Sequence, residues 1–168
     1  MDRLADGLNT VNRAVGRSVR WLALFMVLLQ FLVVVLRYVY GFSSIALNES
    51  VLYMHATLFM LGAGYTLLVD EHVRVDIFQA KASDRGKAWI DTFGHAVLLI
   101  PSMLALLYWS WPSVRNAWAI YEGPLSVGGI PAVFLLKSLI PVFCVLLIIQ
   151  SLACLLARLA ALAGKARA

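Results

Sequence analysis

Three histidines, one acidic run and two cysteines are the side chains of this sequence that could do chemistry. His55, His72 and His95 are the residues a haem iron or a metal would take. Paired haem ligands must meet at one depth. His55 falls about two turns in from one face and His95 about two turns in from the other, on the order of 10 Å apart in depth. His72 falls at or outside the surface. The run Asp70-Glu71-His72-Val73-Arg74-Val75-Asp76 combines carboxylates with an imidazole, a donor set open to a divalent metal. The same run is also what a helix end needs to stay in water at a membrane surface. Cys144 and Cys154 lie about 15 Å apart along one helix, too far to bridge, and read as packing thiols. No P-loop, nucleophile elbow, HExxH or GxGxxG occurs. The residues therefore point to no enzyme, no metal and no cofactor.

The elements that carry these residues are apolar and long. Of 168 residues, 62% are hydrophobic and 14% charged, where a soluble domain carries roughly a quarter charged residues. The expected fold is an all-α membrane protein in one domain, residues 1–168. Four spans are expected at about 21–40, 49–69, 89–111 and 132–156. Ser50 to Val69 holds no Asp, Glu, Lys or Arg, and its Gly62, Ala63 and Gly64 allow a second helix to approach closely. Leu4, Leu8, Val11 and Val15 recur every three or four positions, which predicts a short amphipathic helix on the membrane surface ahead of the first span. That span runs too long for a signal peptide and lacks a cleavage site, so it reads as retained. Asn48 is a candidate cap for the second span. An interfacial segment is expected from Asp70 to Ala88. Pro101 predicts a kink in the third span, whose end can continue through Pro112.

Eleven Lys and Arg fall in the leader, the Asp70–Ala88 segment and the tail, against three (Arg37, Arg115 and Lys137) on the other side. That bias places both termini in the cytoplasm. The turns at Gly41–Leu47 and Glu122–Pro131 then face outward. Arg37 can snorkel to the headgroups, and Glu49 sits where a helix N-terminus favours a carboxylate. No ionisable side chain falls at a span midpoint. Gln30 alone reads as mid-span and polar, suited to a hydrogen bond between helices. Small multidrug exporters also have four short helices, but they need a membrane-embedded Glu in the first, which is absent here. Quinone-linked disulfide-forming proteins need outward-facing cysteine pairs, also absent. A four-helix membrane chain of this kind reads as an accessory subunit. The alternative is an independent small membrane protein, either a redox subunit or an exporter.

Several stretches carry a family resemblance. LRYVYGFS closes the first span, Glu49 opens the second, and LGAGYTLLVDEHVRVDIF closes it. GGIPAVFLLKSLIPVFCVLLIIQSL forms the last span, with prolines ten residues apart and a closing Gln150-Ser151-Leu152. In this order they resemble the small membrane subunit (DctQ type) of tripartite ATP-independent periplasmic (TRAP) transporters, over nearly the whole chain. Where that family often places a tryptophan and a paired acidic residue before the glutamate, this chain reads Ala46-Leu47-Asn48.

The resemblance implies a non-catalytic scaffold in the bacterial inner membrane. Its partners would be a large membrane subunit that carries substrate and sodium, and a periplasmic protein that delivers an organic acid. Interface candidates are Arg37, Glu49, Gly62, Thr66, His72, Arg74, Asp76 and Glu122. The Gly62–Thr66 face is expected to pack within the subunit or against the large one. Glu49 and the turn from Glu122 are expected to face the binding protein.

Overall fold

The structure is a computed structural model that describes residues 2–72, 84–124 and 126–165. These form α1 (Asp2–Val39), α2 (Ile45–Leu68), α3 (Asp84–Phe93), a π-helical stretch (Gly94–Leu99), α4 (Ile100–Ala119) and α5 (Val133–Lys165), with no strand among the described residues. Four segments are long and apolar enough to cross a membrane: Asp6–Val39, Ile45–Leu68, Trp89–Ala119 and Val133–Ala157. The protein is an all-α membrane protein.

The leader is not a separate surface helix. Asp2–Val39 is one helix of 38 residues, about 57 Å long. No proline or capping residue interrupts the junction at Arg20-Trp21. The Thr10 and Ser18 hydroxyls donate to the carbonyls of Asp6 and Ala14, so these residues bond within the helix and do not break it. The inward edge of the leader, Asn12, Gly16 and Val19, is buried, so tertiary packing holds it in line with the span. The helix that leads into the third span starts at Asp84, with α3, ahead of the apolar segment from Trp89. The stretch 73–83, with Arg74 and Asp76 of the expected interfacial segment, lies outside the described residues.

Just before Pro101 the helix carries a π-helical stretch. A proline has no N–H to donate, and its ring crowds the carbonyl four residues back. The preceding turn widens instead, and the Ile100 N–H donates to the His95 carbonyl five residues back. Pro112 and Pro141 lie inside α4 and α5, which continue through them.

The helix ends follow local chemistry. Ser44, not Asn48, caps α2: its hydroxyl accepts from Leu47 N–H at 3.4 Å, while the Asn48 side chain donates back to the Ser44 carbonyl at 2.8 Å. Three helices stop on a residue of positive φ, namely Gly41, Asp70 and Tyr121. Behind the last two, Glu71 N–H reaches Thr66 O and Glu122 N–H reaches Ala117 O, while Asp70 N–H reaches Leu67 O and Tyr121 N–H reaches Trp118 O. Both ends are Schellman stops that satisfy the last carbonyls.

The central helix is α5, which touches every other helix. Its Cys144, Leu146, Leu147 and Ala153 are buried, as are Val114 and Ala117 of α4 and Leu67 of α2. The largest fully buried side chains are Gln150, Asn12, Cys144 and Ser151, while Phe31, Phe59, Trp89 and Trp109 stand exposed. In water that surface would aggregate. In hydrocarbon it is the ordinary outside, and polar contacts with small residues hold the inside.

Candidate functional site

Polar side chains join the leader half of α1 to the middle of α5. Asn12 Nδ2 donates to the Leu146 carbonyl at 3.2 Å and to Gln150 Oε1 at 3.1 Å. Gln150 Nε2 donates to Asn9 Oδ1 at 3.0 Å. Asn12 sits against Gly64 of α2, where a Cβ would strike the Asn12 amide and lie 3.3 Å from Leu146 Cβ. Gly64 therefore lets three helices meet at Asn12. Asn12 Oδ1 has no hydrogen-bond partner. One residue beyond Gln150, Ser151 Oγ lies 2.9 Å from His95 Nδ1, which ties the π-helical stretch to α5. Both members of that pair are buried.

The opposite end is closed by a loop. Glu49, one turn into α2, accepts the Ile130 N–H at 2.6 Å. A Cβ on Gly129 would sit 2.6 Å and 2.7 Å from the two Glu49 oxygens, so only glycine lets the loop approach this closely. Gly128 turns the chain there with φ +86°. Across the same loop Lys137 donates to Glu122 at 2.6 Å. Trp118 Nε1 donates to Ser138 Oγ at 2.8 Å, and its ring meets Phe134 edge-on at 4.7 Å. The Glu49 carboxylate thus holds the loop rather than the helix start where it sits.

A model of the family described as "Tripartite ATP-independent periplasmic transporters, DctQ component" matches residues 26–161. The chain belongs to this family. No curated protein and no solved structure matches it. As a TRAP small permease component it is a transport subunit embedded in the membrane. The match begins at Met26, so Asn9 and Asn12 fall before the matched region, while their partner Gln150 falls within it.

The residues expected to mark interfaces in this DctQ component do not gather in one place. Arg37 is exposed in the last turn of α1. Glu49 and Glu122 both hold the loop end. Gly62, Thr66 and His72 line an open groove beside α1. Within this chain the close approach is made at Gly64, while a Cβ at Gly62 would meet nothing within 4 Å. His55 is exposed and stacks on Phe59 at 6.1 Å, far in environment from buried His95. Among the described residues no three His, Cys, Asp or Glu side chains gather as a metal site.

Gln30, expected to bond between helices, is exposed on α1. Among the described residues Asn9, Asn12, His95, Gln150 and Ser151 make such bonds, as do Trp118 and Ser138. Two signals pointed to some of them. Asn9 and Asn12 fall on one face of an otherwise amphipathic leader, and Gln150-Ser151 interrupts an apolar run.

Proposed function

We propose that this TRAP small permease subunit is a non-catalytic scaffold for a large membrane subunit, in a sodium-coupled transporter that takes up an organic acid delivered by a periplasmic binding protein. It sits in the bacterial inner membrane with both termini cytoplasmic, as its Lys and Arg bias favours. Substrate and sodium sites belong to the large subunit.

The observation that carries this reading is Gln30. It is exposed about three-quarters of the way along α1, amid exposed Phe25, Val27, Leu28, Phe31 and Val34. An amide turned toward hydrocarbon is costly, and a neighbouring helix with a polar group removes that cost. Among the described residues the polar groups inside the bundle largely satisfy one another, which suits a support. At the other end, Glu49 and the Glu122–Lys137 pair fix the loop 123–131 as an outward platform for the binding protein.

Affinity purification from native membranes in mild detergent, followed by mass spectrometry, tests the scaffold. One large polytopic protein in stoichiometric yield is expected. Gln30→Trp should lower that yield severalfold while the chain itself stays folded. A solitary, stable chain would instead favour an independent membrane protein. For the platform, Glu49→Lys should cut uptake and leave the membrane complex intact; normal uptake would remove the loop from the docking surface.

A further inference from the structure

At the end of the bundle where α2 stops, α1 and α2 part and leave an open groove of about 460 Å³. Gly16 closes one wall: it has no Cβ, so the Tyr65 ring rests directly on the α1 backbone. Beyond that contact the helices separate beside Gly62, whose missing side chain leaves the α2 backbone bare. The floor is apolar, with Leu58 and Phe59 at its deep end. The mouth carries Arg17, Arg20, Glu71 and His72.

The polar groups along the groove are mostly engaged. The Thr66 hydroxyl donates to the Gly62 carbonyl at 3.2 Å, and His72 Nε2 lies 3.3 Å from the Ala63 carbonyl. The Arg20 guanidinium lies 5.7 Å from the Trp21 ring, at the level where the apolar span begins. Arg17 and Arg20 are both exposed. Among the described lining residues two guanidiniums stand against one carboxylate, that of Glu71, which leaves the mouth positive.

We propose that this groove binds one anionic phospholipid, with its phosphate between Arg17 and Arg20 and one acyl chain laid along Gly62 toward Leu58. From Leu58 to Thr66 is about 12 Å of helix. That is deep enough for a hydrocarbon chain, while a helix about 10 Å across needs a longer and wider seat. The apolar floor fits an acyl chain rather than a free ion. The paired guanidiniums fit a phosphodiester, whose oxygens accept a planar fork of N–H donors. Juxtamembrane arginines of this kind favour lipids of net negative charge.

The test is native mass spectrometry of the delipidated full chain, titrated with phosphatidylglycerol or phosphatidylcholine, with thermal unfolding run on every variant to establish folding. Phosphatidylglycerol should be retained at least about tenfold better than phosphatidylcholine. The double variant Arg17→Gln, Arg20→Gln should abolish that preference. Gly62→Leu should remove one bound lipid of either kind, and Arg115→Gln should change nothing. Equal retention of the two lipids, or retention indifferent to both the arginine and the glycine changes, overturns the proposal. So does competition by millimolar inorganic phosphate alone, which would make the mouth an ion site. Lower yield of the large subunit with Gly62→Leu at unchanged lipid retention also overturns it, since a partner side chain would then fill the groove.

Discussion

Asn12, Gln150 and Gly64 form a buried polar junction, and each makes a separate demand. Asn12→Leu leaves Gln150 Oε1 buried without its donor, and Gln150→Leu leaves Asn12 short of its acceptor. Each single change should cost about 1–3 kcal/mol, the range for an orphaned buried polar group. The double change should cost less than their sum, with a coupling of about 0.6–2 kcal/mol. Reversible unfolding in mixed micelles measures this cycle, and strictly additive losses would mean the pair does not interact. The two neighbouring glycines should behave in opposite ways. Gly64→Ala drives a methyl group into Asn12 and should destabilise by about 1–3 kcal/mol. Gly62→Ala meets open space and should be neutral or gain up to about 1 kcal/mol from helix propensity. The glycine pair was legible in the sequence as a close-packing feature, but which of the two packs was not. Their directions differ by about 200° around the helix axis, and only the positions of α1 and α5 decide which one meets a neighbour.

The helices show the same division between what is local and what is tertiary. The four spans follow from apolar length alone. The stop at Asp70 follows from local chemistry, since Asp adopts positive φ more readily than most residues. Asp70→Gly should therefore keep the end of α2 in place, while Asp70→Val should cost about 1–2 kcal/mol. Thermal unfolding in detergent distinguishes them, and equal stability of the two variants would argue against a strained stop. The π-helical stretch was legible only as a proline. Its effect is to widen one turn and bring His95 against Ser151, and that pairing depends on where α5 lies. Pro101→Ala restores an N–H that can bond in α-helical register, which should rewind the turn and draw His95 away. A coupling measurable between His95→Ala and Ser151→Ala in the natural sequence should then disappear in the Pro101→Ala background. The leader is the clearest case of tertiary override. Its apolar spacing did not mark the buried edge: Val11 is exposed and Leu8 and Val15 are half-buried, while Asn12, Gly16 and Val19 are buried and hold the leader in line with the span instead of letting it lie on lipid.

In the whole molecule the two ends are built differently. One is fastened by side chains of α1 and α5, the other by a carboxylate that grips a loop backbone. The sequence signalled the second through Glu49 and its Gly/Pro-rich loop, though it could not show that they meet. The first depends on residues 138 positions apart in the chain, and this has a consequence for how the subunit is made. The ribosome releases Asn12 before Gln150, 138 residues earlier. Through most of that interval the amide of Asn12 has water and headgroups for company, and the leader has no reason to stay in line with its span. A nascent chain stopped before Gln150 carries a first helix whose Asn12 lacks this partner. Closure of this end therefore waits for α5, and the leader is locked in line with its span only after that helix has been made.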